Sequence, residues 1–82
     1  MASILYFGSL PDALGTAFEH PHLPPSVADV DSLLHWLRQR GPRWKRALAD
    51  GSVQVTVNKT RAGAGTSVTD EDEIAVIPVS VH

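Results

Sequence analysis

Cysteine is absent from the 82 residues. That removes disulfide bridges, thiolate metal sites and a thiol nucleophile together. A chain of this length is near the size at which one core can just sustain folding. The expectation is therefore a single domain over residues 1–82, held by packing alone, in a reducing, cytoplasmic compartment. No apolar run approaches the ~18 residues of a membrane span. The start, Met1-Ala2-Ser3-Ile4-Leu5-Tyr6-Phe7, lacks the basic stretch of a signal peptide. A net charge of -2 argues against a dedicated nucleic-acid binder. Gly63-Ala64-Gly65 is followed neither by a helical pattern nor by Lys-Ser/Thr, so it is no nucleotide-binding loop. The histidines fall in loops, a helix and the tail, and no Ser/His/Asp set can be assembled from them. No self-contained active site is predicted.

What is present is a series of short periodic segments. Ser3 to Phe7 is apolar, rich in β-formers and closed by Gly8-Ser9, which predicts a strand. Leu10 to Gly15 carries Pro11, Asp12 and Gly15 and reads as a loop anchored by Leu14. Thr16 to Glu19 is expected to return beside the first strand. Pro21, Pro24 and Pro25 then make His20 to Pro25 a semi-extended connection. Val30, Leu33, Leu34 and Leu37 follow helical spacing, with Asp29 the better N-cap and Ser26 the alternative. Gly41 at C′ and Pro42 predict a stop near Arg40. Trp44 and Leu48 suggest a further helical turn that lays an indole on the domain. Val53, Val55 and Val57 alternate with polar residues in a third strand. Asn58-Lys59 is a tight turn into a short strand at Thr60 to Ala62, and Val68 anchors the loop that follows.

The final stretch organises the rest. Asp70 to Glu73 gives way to Ile74-Ala75-Val76-Ile77, a buried strand expected to break at Pro78, leaving residues 78–82 as a tail. The first and last strands read as buried and must pair in parallel at the centre, with the second strand and the Thr60 strand at the edges. The fold class predicted is α+β: a mixed sheet of four to five strands with one main helix across it, the β-grasp arrangement.

Several features have both a sharp and a bland reading. His20 and His22 could offer paired imidazoles, but without a third ligand they read as solvated, and no metal site is predicted. The acidic run Asp70 to Glu73 reads as a solvated turn. Arg38, Arg40, Arg43, Lys45 and Arg46 form an exposed helix end that complements the macrodipole. Trp36 lies off the helical stripe and reads as a side-packing residue.

On these residues the chain resembles the small, ubiquitin-like sulfur-carrier subunit of molybdopterin synthase. The likeness covers nearly the whole length: Ile4-Leu5-Tyr6-Phe7 with Leu14-Gly15, Asp29-Val30-Asp31-Ser32-Leu33, Arg43-Trp44 with Ala47-Leu48, Asp50-Gly51, Val57-Asn58-Lys59-Thr60, and Thr69 to Ala75. No element is specific alone; their order and spacing carry the resemblance, and the related thiamine-pathway carrier fits less well around Arg43-Trp44. The resemblance implies a non-catalytic carrier subunit that binds no cofactor tightly. Its C-terminal carboxylate, at His82, would be adenylated by a ubiquitin-activating-like adenylyltransferase that uses ATP, then converted to a thiocarboxylate. The tail would next enter the large subunit of molybdopterin synthase. Phe7, Ile77, Pro78, Val79, Ser80 and Val81 are the partner-binding positions it implies, with no nucleic acid and no membrane involved. For Phe7 and Ile77 the bland alternative is plain core or edge packing.

One departure falls at the reactive end. The family ends in Gly-Gly, usually preceded by two prolines, a valine and a small residue, whereas here the sequence reads Ile77-Pro78-Val79-Ser80-Val81-His82. Glycine threads a narrow channel and adopts φ values closed to valine. Three explanations stand open: a diverged paralogue that docks a partner without transferring sulfur, a carrier that tolerates a different end, or an altered terminus.

Overall fold

A computed structural model describes residues 1–79. The elements in chain order are β1 Ser3–Tyr6, α1 Leu10–Leu14, β2 Phe18–Glu19, α2 Val30–Arg38, α3 Pro42–Ala47, β3 Val53–Val57, β4 Thr60–Ala62 and β5 Glu73–Pro78. They form a five-stranded sheet in the order β2-β1-β5-β3-β4. β1 and β5 pair in parallel, Ile4 opposite Ile74 and Tyr6 opposite Val76, and every other pair is antiparallel. The central parallel pair and the edge positions of β2 and β4 are as the apolar patterning predicts.

Period-2 alternation sends Ile4, Tyr6, Ile74, Val76 and Val55 to the helix side, where they meet Leu33, Leu37 and Leu48 in one buried core. α2 starts where its cap requires. Asp29 accepts from the Ser32 amide at 2.8 Å, and the Ser32 hydroxyl receives the Asp29 N–H at 3.1 Å, closing a reciprocal capping box. The Ser32 amide first, and then the Ser32 hydroxyl, which donates to the Asp29 carboxylate at 2.7 Å, hold the Asp29 carboxyl below its ordinary value.

Four expectations are corrected. Leu10 to Leu14 is a short helix rather than a loop: Pro11 in its first turn presets φ, and Gly15, at φ 79°, caps its end by donating to the Pro11 carbonyl. β2 is confined to Phe18–Glu19, although Ala17 still accepts from the Tyr6 amide. α2 ends on Gln39 as C-cap, so Gly41 is not its C′ residue but the N-cap of α3, with Pro42 in the first turn.

The fourth concerns Pro78, which lies within β5, opposite Val53. The Phe7 amide bonds the Val76 carbonyl on the β1 side, so by alternation the nitrogen of Pro78 also faces β1. β1 has already turned away at Gly8, and the missing donor is therefore never called on. Pro78 begins no tail; the Val79 N–H still donates to the Ser52 carbonyl at 2.9 Å.

Candidate functional site

The sheet has one face under the helices and one open. Alternation along β1 and β5 puts Leu5, Phe7, Ala75 and Ile77 on the open face. Leu5 lies opposite both Phe18 and Ala75, so the three form a row across β2, β1 and β5. Phe7, Phe18, Ile77 and Val79 are 46%, 59%, 37% and 42% exposed. Those values settle the choice between core and surface for Phe7 and Ile77: neither is core. Apart from Met1, the exposed large apolar residues gather on the open face and beside the end of β5.

The end of β5 is held from two sides. Gly8 has φ 62°, a conformation that favours glycine, and an added Cβ there would meet the Pro78 ring at 2.6 Å. On the other side Val79 is tied to Ser52, whose hydroxyl donates to the Ala49 carbonyl at 2.6 Å. Ser80, Val81 and His82 lie outside the described residues, so the partner-binding and acceptor roles expected of them stand as expectations.

Sequence reasoning missed Phe18, although its place opposite Leu5 in a hairpin return was a usable signal. It also missed a network that fastens β2 to the helices. Arg40 donates to both carboxylate oxygens of Glu19, at 2.7 and 2.8 Å, and the Tyr6 hydroxyl donates to Oε2 at 2.8 Å. The guanidinium lies 5.0 Å from the Trp36 ring and 4.6 Å from the Trp44 ring, and Trp44 meets Tyr6 edge-on at 5.7 Å. Burial pushes the Tyr6 hydroxyl up, with the Glu19 hydrogen bond and charge acting the same way. Burial also works to raise the Glu19 carboxyl, but hydrogen bonds from Arg40 and Tyr6 and the cation's charge outweigh it and hold it low. No local motif announces this cluster, because its members are brought together only by folding.

The other candidates resolve as follows. His20 and His22 do not converge: His20 Nδ1 meets the Ser3 hydroxyl at 3.1 Å, and His22 lies 3.7 Å from Asp70. Among the described residues no group of three or more His, Cys, Asp or Glu is placed to hold a metal, and no helix is long and apolar enough to cross a membrane. The acidic turn is hydrogen-bonded to the segments around it. Asp70 accepts from the Leu23 amide at 2.7 Å; Asp72 accepts from the Asn58 side chain at 2.9 Å and the Thr69 amide at 2.8 Å. Both carboxyls are held low, Asp70 first by the Leu23 amide and Asp72 first by Asn58. Arg38 departs from the plain dipole-complementing role: it donates to the Leu48 carbonyl at 2.6 Å, capping the end of α3, and pairs with Asp50 at 3.0 Å.

Comparison with known proteins adds four findings. The model of the ThiS family matches residues 4–80. The molybdopterin synthase sulfur carrier subunit of Escherichia coli strain K12 is 28% identical over 78 residues, 95% of this chain and 94% of that protein. Among solved structures, the small archaeal modifier protein 1 of Methanosarcina acetivorans superposes with a TM-score of 0.72 at 25% identity, covering 99% of this chain and 95% of that one. Its counterpart from Haloferax volcanii gives 0.77 at 21%, covering 96% and 97%, a likeness of fold.

Proposed function

The chain belongs to the ThiS family, and from that premise we propose that it is the sulfur-carrier small subunit of a molybdopterin synthase, acting in molybdenum cofactor biosynthesis. The observation that carries the reading is where β5 delivers Val79. β5 is locked between β1 and β3, and it hands Val79 to the rim of the sheet beside a patch of exposed Phe7, Phe18 and Ile77. A rigid strand that ends beside an apolar docking face suits a protein whose end must be inserted into other proteins. The full-length likeness to a sulfur carrier subunit supports the same assignment.

In this reading the terminal carboxylate, on His82 in this sequence, attacks the α-phosphorus of ATP on an adenylyltransferase and releases pyrophosphate. Adenylation turns an unreactive carboxylate into an acyl electrophile, and a sulfur nucleophile then displaces AMP to leave a thiocarboxylate. The large subunit receives the tail in a closed pocket, where exclusion of water protects the activated group until sulfur passes to the pterin precursor. The folded domain contributes docking and positioning; it binds no cofactor tightly and performs no turnover alone.

The test is the intact mass of the full chain after incubation with the adenylyltransferase, ATP and a sulfur donor. The expected result is a gain equal to one oxygen exchanged for sulfur. An unchanged mass, with a diglycine-ended carrier converted in parallel, refutes sulfur carriage and leaves a domain that only docks.

A further inference from the structure

The end of α3 leaves carbonyls without helical partners, and two side chains answer them. The Ser52 hydroxyl donates to the Ala49 carbonyl at 2.6 Å and lies 3.3 Å from that of Ala47; the Ser52 amide also donates to Ala49, at 3.0 Å. Arg38 reaches over from α2 to the Leu48 carbonyl at 2.6 Å and to Asp50 at 3.0 Å. The turn into β3 is thus braced by both helices. The Ser52 carbonyl is turned the other way and accepts from the Val79 N–H at 2.9 Å. A single residue therefore ties the end of α3 to the end of β5.

This bond comes where β5 has lost its other neighbour. β1 stops at Tyr6 and turns away at Gly8, whose lack of a Cβ leaves room for the Pro78 ring. Val79 lines a hollow with Leu34, Arg38 and Val53, so its side chain lies against the braced turn. Ile77, on the open face, is two positions back, about 7 Å along an extended strand. The open face and the exit of the chain are separated by two residues, and both are held.

We propose that Ser52 is a positioning residue for the reactive tail: by bonding Val79 it fixes the point and the direction from which the chain leaves the fold. The inference rests on the carrier reading above. A docked carrier engages its partner through its face and through its tail, and the second event is intramolecular. Its effective concentration is highest when the linker between the two matches the span, and it falls as the linker slackens. Freeing Pro78 and Val79 would put two mobile residues, up to about 7 Å of slack, between the open face and the reacting carboxyl. A misplacement of about 1 Å at a reacting group can already cost about a hundredfold in rate. Capping of α3 needs only the Ser52 hydroxyl and amide; the bond from its carbonyl to Val79 does nothing for that helix.

The test pairs Ser52→Ala with the hydroxyl-keeping Ser52→Thr in the full chain. Conversion to the thiocarboxylate by the adenylyltransferase, ATP and a sulfur donor is followed by mass, and the Val79 amide by NMR relaxation. The Val79 order parameter is expected at about 0.85 in the wild type and below about 0.6 in Ser52→Ala. With the open face intact, kcat should fall about fivefold in Ser52→Ala at unchanged KM, and Ser52→Thr should restore both readouts. Thermal unfolding checks that each variant is folded at the assay temperature; loss of the cap alone lowers Tm without moving kcat. A wild-type order parameter below about 0.6 overturns the proposal whether or not a variant folds. Equal kcat for the wild type and Ser52→Ala overturns it and leaves the carrier reading standing. A raised KM with kcat kept overturns it by making Ser52 a docking residue. No conversion of the wild type, with a diglycine-ended carrier converted in parallel, overturns both.

Discussion

Replacing Arg40 with methionine keeps much of the apolar stem between the two indoles and deletes the charge. The lost contacts are the bidentate pair with Glu19, at 2.7 and 2.8 Å, and the stacking on Trp36 and Trp44. A fully exposed ion pair contributes ~0–1 kcal/mol. Here the Arg40 and Glu19 side chains are only 30% and 19% exposed, and the paired geometry moves the estimate to about 1–2 kcal/mol. Two partly exposed cation–π contacts add about 0.5–1 kcal/mol each. The contacts share one side chain and do not sum fully, so the expected loss is about 2 kcal/mol at neutral pH. For a domain of this size that is a fall of about 8–16 °C in Tm.

The pH dependence sharpens the test. Glu19 is held below its ordinary value of 4.5 against the upward push of burial. A carboxylate with a depressed folded-state pKa contributes stability that is present above its unfolded value and lost as pH falls through the folded one. The gap between wild type and Arg40→Met should therefore narrow as pH falls below the ordinary Glu19 value of 4.5. Circular dichroism during urea unfolding is the suitable assay, because the fluorescent indoles flank the substituted side chain. A double-mutant cycle with Glu19→Gln should return a coupling of about 1 kcal/mol. A loss below about 0.5 kcal/mol, or one that is the same at both ends of the pH range, would refute the reasoning.

Two further outcomes follow from the described geometry. Gly8→Ala places a side chain at φ 62° and 2.6 Å from the Pro78 ring, so it should cost about 2 kcal/mol or more in thermal unfolding. Adding Pro78→Ala should recover the steric part; no recovery would mean the ring contact is unimportant. Phe7→Asp with Ile77→Asp, both half-buried on the open face, should cost about 1–2 kcal/mol of stability while leaving the domain folded, and should weaken association with the large subunit at least about tenfold in a calorimetric titration. Unaltered association would remove the open face from the interface.

The legible parts of the sequence were those with a strong local cause. Val30, Leu33 and Leu37 announced α2 through spacing, Asp29 fixed its start, and the alternating valines of β3 showed its half-buried face. Asn58 and Lys59, both at positive φ, supplied the turn into β4. Pattern failed where one residue type serves two structures. Pro11 and Gly15 read as loop chemistry yet are equally the start and stop signals of the short α1. Gly41 reads as the end of one helix and serves as the beginning of the next.

Apolar periodicity, caps and the bounded core that 82 cysteine-free residues permit determined the layers and the family resemblance, and the buried, continuously apolar character of the first and last strands pointed to their parallel pairing at the centre. Only the tertiary structure decided that Phe7 and Ile77 face outward, that Pro78 stays in the sheet because β1 has left its nitrogen unopposed, and that Arg40, Glu19 and Tyr6 meet. Those outcomes depend on which side of a strand meets the helices and on contacts between residues far apart in sequence, and no local pattern encodes either.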